Sequence, residues 1–186
     1  MRTVKVVLGP TGRDYLLNSV LNSRAFPRSL RSRAWSWVGH QVHTSALINP
    51  TSFLGARTGL TIGPQVFINY GCFFDLAAPT VIGARASLGF EVMLLTSTHK
   101  MGPPSKRAGD SDAKSITIGE GAWIGARATI MPGVNVGSGC VIAAGSVVVS
   151  DCEPDSLYAG IPAVLKRRLE DPSDPSAQHD EVLYAD

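Results

Sequence analysis

Residues 118–148 read "IGEGAWIGARATIMPGVNVGSGCVIAAGSVV", and an aliphatic residue returns in this stretch at every sixth position. A glycine often follows the aliphatic residue directly, and the fourth residue after it is small or β-branched. The aliphatic positions are Ile118, Ile124, Ile130, Val136, Ile142 and Val148. A period of six fits neither the 3.6-residue repeat of an amphipathic helix nor the alternation of a hairpin strand. The stretch therefore requires a repeat architecture.

The repeat predicts an all-β, three-sided parallel β-solenoid, in which each hexapeptide supplies one short strand and one corner. The aliphatic side chain points into the shaft, and glycine permits corner backbone that a Cβ disfavours. The same frame runs upstream, where two spacings of eight residues, at 54–62 and 74–82, predict bulged corners. Its upstream positions are Val42, Ile48, Leu54, Ile62, Ile68, Phe74, Ile82, Leu88 and Leu94. We therefore place the solenoid at 42–152.

Three further segments surround the solenoid. Residues 1–41 are basic and have helical apolar spacing, and Pro27 is expected to separate two short helices that cap the open end of the shaft. Residues 153–170 are predicted to form a C-terminal extension that ends in a short helix. Residues 171–186 are acidic and broken by prolines, so we expect a tail without fixed structure or a loosely packed arm.

Composition narrows the class of protein. The chain has 186 residues, 44% of them hydrophobic, which suits one folded unit. Its net charge of +2 is too mild to indicate a nucleic-acid partner. No apolar run reaches the ~20 residues of a membrane span, and no secretory leader is recognisable, so a cytoplasmic location is expected. Cys72, Cys140 and Cys152 form no CxxC pair and are interpreted as small core residues.

Several motifs, together with the repeat, resemble those of the hexapeptide-repeat acyltransferases, whose fold is a left-handed parallel β-helix. The resemblance covers residues 42–169, and within the superfamily it is greatest to maltose and galactoside O-acetyltransferases. The motifs are "FINYGCFFD" (67–75), "TSTH" (96–99), "ITIGEGAWIGARATIMPGVNVG" (116–137), "AAGSVV" (143–148) and "AGIPAVLKRRL" (159–169). The resemblance implies acetyl-CoA as acyl donor, a small-molecule acceptor that is a carbohydrate, and no metal. It also implies a homotrimer with active sites between subunits.

The repeat breaks at "TSTHK" (96–100), where 24 residues separate Leu94 from Ile118 although the period needs six. The insertion, 95–115, is polar and contains prolines, and loops of this length usually carry function. Imidazole has the pKa to accept the proton of an acceptor hydroxyl. Because "TSTH" also resembles the catalytic histidine motif of the family, His99 is predicted to be the general base.

The orienting partner of His99 is left open at this point. Asp110, in the same insertion, is one candidate and also a candidate acceptor-binding residue, whereas a backbone carbonyl would orient the imidazole equally well. No GxSxG elbow accompanies His99, so we expect direct transfer in a ternary complex rather than an acyl-enzyme.

By resemblance, the pantetheine arm of coenzyme A lies along the coils and bonds to backbone groups at Ala126 and Ala144, with Trp123 packed near the thioester. Lys166 and Arg167 are the candidates for the phosphate end. The chain departs from many relatives after the last strand, where Val149 and Ser150 replace a Thr-Lys pair.

On the acceptor side, Asn69 matches the substrate-binding asparagine of the family, and its amide suits vicinal hydroxyls. Asp75 resembles an acceptor-side acid.

An amine acceptor, including an amino sugar or an antibiotic, remains an alternative because the same base and thioester would serve it. A non-catalytic scaffold is a further alternative. A carbonic-anhydrase-like metal site would need about three converging histidines, and His40, His43 and His179 lie away from the centre of the shaft.

Overall fold

The computed structural model of the chain describes residues 10–55 and 58–170. Short strands wind into a parallel β-helix with three faces. The first face contains β1 (Gln41–Val42), β4 (Leu60–Ile62), β7 (Thr80–Ile82), β12 (Ile116–Ile118) and β15 (Asn135–Val136). The second contains β2 (Leu47–Ile48), β5 (Phe67–Ile68), β8 (Ser87–Leu88), β13 (Trp123–Ile124), β16 (Val141–Ile142), β18 (Ser156–Gly160) and β19 (Ala163–Arg168). The third contains β3 (Phe53–Leu54), β6 (Phe73–Phe74), β9 (Met93–Leu94), β14 (Thr129–Ile130) and β17 (Val147–Val148).

The aliphatic residues of the repeat stack in register inside the shaft. Ile118, for example, pairs with Ile82 of the preceding coil and Val136 of the following one. The predicted inward positions are buried, apart from Val42 in the first coil, which is half-buried. All three cysteines are buried and unpaired, as expected. Stacking like residues on like residues gives each coil the same cross-section, which keeps the shaft straight and stiff.

The glycines that follow the aliphatic residues are required by space. A Cβ at Gly125 would lie 2.5 Å from the backbone nitrogen of Ala144 in the next coil, and one at Gly119 would lie 2.4 Å from that of Ser138. The expectation that these glycines permit a backbone conformation that a Cβ disfavours is therefore wrong, because neither Gly119 nor Gly125 has a positive φ. They let successive corners approach closely, whereas side-chain-bearing residues such as Arg127 adopt positive φ two positions later.

The N-terminal end of the shaft is covered by helices, as predicted. A short helix α1 (Pro10–Asp14) continues into a π-helical segment (Tyr15–Leu21), and Pro27 precedes α2 (Arg28–Trp37). The rings of Trp35 and Phe74 pack in a T-shaped pair, with centroids 6.1 Å apart.

Polar contacts then fix the cap to the first coil. The Asn18 amide donates to the carbonyl of Leu54 and accepts from its backbone N–H, each at 2.8 Å, and so pairs with the free edge of β3. Buried Arg31 donates to backbone carbonyls of Leu21 and Ile48, which ties the helical segment to the shaft.

The insertion predicted at 95–115 is a structured β-hairpin. Its strands β10 (Ser97–Met101) and β11 (Ala108–Ala113) pair antiparallel, with His99 opposite Ser111. The N–H of Lys114 donates to the carbonyl of Thr96 at 2.9 Å and closes the base of the hairpin before the chain re-enters the shaft at β12. The insertion therefore positions His99 on a paired strand.

The short C-terminal helix predicted within 153–170 is wrong, because this segment is a β-hairpin of β18 and β19. β18 adds to the open edge of the second face by pairing in parallel with β16, and β19 then folds back onto it. An unpaired sheet edge supplies hydrogen bonds that outweigh the helical propensity of "AVLKRRL". The predicted tail, 171–186, and residues 1–9 of the cap lie outside the described residues. In the described part, no helix is long and apolar enough to cross a membrane.

Candidate active site

The hairpin holds the imidazole of His99 in a defined tautomer. Its Nδ1 lies 3.0 Å from the carbonyl oxygen of Gly109 on the partner strand. A carbonyl oxygen can only accept, so Nδ1 carries the proton and donates it to this bond. The lone pair of the imidazole is then on Nε2, and the side chain is exposed. This is the state that a general base needs before reaction.

A backbone carbonyl, rather than Asp110, therefore orients His99. Side chains alternate between the two sides of a strand, and His99 lies opposite Ser111 in the register. Asp110 precedes Ser111 at a register shift of the hairpin, and among the described residues the hydrogen bond of the imidazole goes to Gly109 instead. The structure does not bring Asp110 and the imidazole together.

Asp75 anchors the base of the hairpin. Its Oδ2 accepts the backbone N–H of Ser97 at 2.6 Å, and at 3.1 Å and 3.3 Å the backbone N–H and hydroxyl of Thr96. A carboxylate at this position fixes the strand that carries His99 two residues later. Asp75, which was predicted to bind the acceptor, thus supports the hairpin that carries His99.

An open depression lies along one corner of the shaft, where the chain passes from the second face to the third; we call this the groove corner. The residues that line it are Phe90, Glu91, Ala126, Arg127, Ala144 and Gly145. Two predicted coenzyme A contacts, Ala126 and Ala144, are therefore part of one concave surface. The Gly145 N–H donates to the Ala126 carbonyl at 2.8 Å, so hydrogen bonds between coils form the floor. Arg127 donates to Glu91 at 2.7 Å at the rim.

Trp123 extends this surface onto the second face. It lies in β13 between Ser87 and Val141, three residues before Ala126, and 44% of its surface is exposed. Core packing is therefore excluded as its role.

The candidate phosphate-binding cations lie at the C-terminal end of the same face. Lys166 and Arg167 are exposed on β19, whereas the next residue, Arg168, forms an ion pair with Glu153 and donates to Ser156. Arg168 is thus occupied within the fold.

Asn69 lies on the groove corner, one coil before Gly89. Its Oδ1 accepts from the side-chain amide of Asn49 at 3.2 Å and from the backbone of Tyr70 at 3.0 Å. These bonds fix the orientation of the Asn69 amide, because its oxygen is turned toward two donors.

Cys72 is buried beneath the same corner. Burial raises its pKa to about 11, and its Sγ donates to the carbonyls of Asn69 and Gly89. Since the thiolate is the reactive form of cysteine, the raised pKa makes Cys72 a poor candidate for a nucleophile.

Within one chain, Trp123, Lys166 and Arg167 lie on the second face, and the other predicted site residues lie on two different edges of the third face. Asn69, Ala126 and Ala144 follow the groove corner. Asp75 and the hairpin with His99 lie where the chain passes from the third face to the first, which we call the hairpin corner.

The sequence did not identify the Gly109 carbonyl, because a backbone acceptor leaves no side-chain signal. It also missed Phe90 and the Glu91–Arg127 pair at the rim. The Glu91–Arg127 ion pair could have been predicted from the sequence, because opposite charges at equivalent positions of successive coils favour an ion pair across the repeat.

Comparison with known proteins agrees with the repeat. Residues 115–150 match the family model described as bacterial transferase hexapeptide, six repeats. That part of the chain therefore carries the hexapeptide repeat of this family. Its fold accords with the left-handed parallel β-helix that the resemblance implied.

A curated relative carries an acetyltransferase name. A provisionally named acetyltransferase of Schizosaccharomyces pombe is 38% identical over 108 residues, which cover 58% of this chain and 52% of that protein. The chain thus spans about half the length of this curated relative.

Solved structures match over more of their length. An acetyltransferase from Vibrio cholerae, complexed with acetyl coenzyme A, is 27% identical, with a TM-score of 0.76 and coverage of 87% of this chain and 88% of that one. A maltose O-acetyltransferase from Clostridium difficile, 24% identical with a TM-score of 0.76 and coverage of 87% and 85%, shares the fold.

Among the described residues, no group of three or more His, Cys, Asp and Glu side chains is placed to hold a metal ion.

Proposed function

We propose that the protein is an acetyl-CoA-dependent O-acetyltransferase that acts on a hydroxyl of a sugar or a glycosylated small molecule. The observation that carries this proposal is the tautomer of His99, whose Nδ1–H bonds to the Gly109 carbonyl and whose Nε2 is left to accept a proton. A relative and a solved structure with acetyltransferase names support the reaction class.

The reaction proceeds by direct transfer. Nε2 of His99 accepts the hydroxyl proton while the acceptor oxygen attacks the thioester carbonyl carbon. The tetrahedral intermediate collapses by cleavage of the C–S bond. The proton then returns from the imidazolium to the leaving thiolate, which gives the acetyl ester and free CoA and restores the neutral base.

Acetyl-CoA would lie along the groove corner, against Ala126 and Ala144, with Trp123 beside the arm. The small residues there leave room for the pantetheine chain close to backbone groups, and the exposed Lys166 and Arg167 are available to the phosphates. Asn69, on the same corner, would hold the acceptor.

The proposal requires neighbouring subunits, since the base and the groove lie on different edges of the third face within one chain. In a homotrimer, the hairpin corner of one subunit would meet the groove corner of the next. Each active site would then combine His99 and Asp75 of one copy with the groove and Asn69 of its neighbour.

The decisive experiment measures thiol release from acetyl-CoA over a panel of sugars, glycosides and amino sugars, with the native protein and His99→Ala. We expect turnover with a hydroxyl acceptor and a loss of about 10²- to 10⁴-fold in kcat in the variant, with CoA affinity retained. His43→Ala is the matched control, because His43 is also exposed but bonds to Ser45 in the first coil.

Equal rates for the native protein and His99→Ala would remove His99 as the base. Turnover confined to amine acceptors would replace O-acetylation by N-acetylation. Absence of thiol release with every acceptor would contradict the transferase itself and favour a scaffold.

A further inference from the structure

Two exposed aromatic rings stack on the groove corner, directly before the depression. Tyr70 and Phe90 occupy equivalent positions one coil apart, with ring centroids 6.1 Å apart and an interplanar angle of 13°. The N–H of Glu91 donates to the Tyr70 carbonyl at 2.9 Å, which couples the two corners. The pair is therefore a surface of fixed geometry.

Side-chain size changes abruptly along this corner. The positions equivalent to Tyr70 and Phe90 in the next two coils are Ala126 and Ala144, which line the depression together with Phe90. One half of the corner is thus aromatic and raised, and the other half is small and concave. Two surfaces of different shape that adjoin on one corner suit two ligands that meet end to end, with the donor in the concave half and the acceptor on the aromatic half.

Amide groups accompany the aromatic half only. Asn69, beside Tyr70, is bonded to Asn49 one coil earlier, whereas glycines stand at the same position next to Phe90 and Ala126. Aromatic rings that offer apolar contact beside oriented amides match a ligand of linked rings that carry hydroxyls.

We propose that Tyr70 and Phe90 form the acceptor platform, and that it selects acceptors of two linked rings over acceptors of one. This inference rests on the proposed function. The ring that carries the reacting hydroxyl lies at Phe90, next to the donor groove, and the second ring lies at Tyr70. The substrate class is a disaccharide or an aryl glycoside, and Tyr70 determines specificity for its second ring.

The test compares matched pairs of phenyl and methyl glycosides as acceptors for the native protein, Tyr70→Leu and Tyr70→Phe. Tyr70→Leu should raise KM for the phenyl glycoside about five- to tenfold and change KM for the methyl glycoside and for acetyl-CoA by less than about twofold. Tyr70→Phe, which keeps the ring, should behave as the native protein. Val81→Leu is the matched control, an exposed apolar residue on the first face.

Binding of the phenyl glycoside, measured by saturation-transfer NMR titration with CoA present, gives a dissociation constant that does not depend on turnover. It should weaken about five- to tenfold in Tyr70→Leu alone. An unchanged constant, an equal loss for methyl and phenyl glycosides, or a raised KM for acetyl-CoA would each overturn the platform.

These results are distinguishable from failure of the proposed function. Turnover that is indifferent to Tyr70 contradicts the platform and leaves the transferase intact. Tyr70-dependent binding of the phenyl glycoside without thiol release contradicts the transferase and leaves the platform as a binding site.

Discussion

His40 is buried where α2 meets the first coil, and both of its ring nitrogens are without a hydrogen-bond partner among the described residues. Burial lowers its pKa to about 4, and the positive charge of Arg13 acts in the same direction. The folded protein therefore holds a neutral imidazole, whereas the unfolded chain takes up the proton near pH 6.5. His40 therefore does not reduce the free energy of unfolding above pH 6.5. As the pH falls from 6.5 toward 4, protonation of His40 in the unfolded chain lowers the free energy of unfolding.

We predict that the native protein loses about 2 kcal/mol of unfolding free energy from His40 alone between pH 7 and pH 5. His40→Leu should remove this part of the pH dependence. The measurement is urea denaturation at both pH values, with His43→Leu as an exposed control. A pH dependence that is the same in the native protein and His40→Leu would show that protonation of His40 does not oppose folding.

At the scale of the element, the hairpin depends on one carboxylate. Asp75 accepts two backbone N–H groups and one hydroxyl from Thr96 and Ser97, at the point where the insertion leaves the shaft. Hydrogen bonds to a charged acceptor contribute about 1.5–3 kcal/mol. Loss of these bonds frees the base of the hairpin without touching the aliphatic core.

We predict that Asp75→Ala speeds amide exchange at Thr96 and Ser97 by about tenfold or more and lowers kcat, while CoA affinity is unchanged. Hydrogen exchange with mass spectrometry and the thiol-release assay provide the two readouts. Asp112→Ala is the control, because within the described residues the Asp112 carboxylate accepts a hydrogen bond from the N–H of Ala113, the next residue in β11. Native exchange and kcat in Asp75→Ala would show that pairing within the hairpin suffices to position His99.

Apart from the N-terminal helices, which helical spacing and Pro27 predicted, the elements that were predicted from the sequence are those that the repeat determines. Ile118 and Ile124 pointed inward because a six-residue period has one arrangement that buries them together. The period could not predict the β10–β11 and β18–β19 hairpins, since neither "STHKM" nor "AVLKRRL" follows the six-residue repeat. Their structure follows from tertiary pairing with a neighbouring strand or an open sheet edge, and local propensity does not report it.

For the candidate site, the motifs predicted individual residues but not the hydrogen-bond partner of His99. His99, Asn69 and Trp123 were named from motifs, and the structure gives each an exposed or half-buried position on a rigid coil or a paired strand. The choice between Asp110 and a backbone carbonyl could not be made from sequence, because it depends on the register of the hairpin. By contrast, the separation of Asn69 from Asp75 could have been predicted, because they stand six positions apart and each hexapeptide supplies one corner.

At the scale of the whole molecule, the third face lies between the two halves of the proposed site. One edge carries the hairpin with His99, and the other carries the groove. In a ring with three-fold symmetry, each copy meets one neighbour through each edge. The third face would then point toward the axis, and its outward side chains suit that position: Phe53 and Phe73 stack at 4.8 Å, and Met93 follows in the next coil.

We therefore predict that Met93→Glu prevents assembly and abolishes transfer. Met93 is 37% exposed on the third face, and a carboxylate there would be desolvated in the trimer at a cost of several kcal/mol. Val81→Glu is the matched control, because Val81 is 41% exposed on the first face, away from the axis. Sedimentation velocity should find the native protein and Val81→Glu at about three times the 19.7 kDa chain mass and Met93→Glu at one.

The thiol-release assay separates assembly from folding in this pair. If the site combines two copies, monomeric Met93→Glu keeps the far-ultraviolet circular dichroism of the native protein but loses turnover, since its own hairpin and groove lie on opposite edges of the face. Full kcat in a monomeric variant would mean that one chain brings His99 to its own groove. A native protein that sediments as a monomer would remove the three-fold arrangement and require the hairpin to cross the third face.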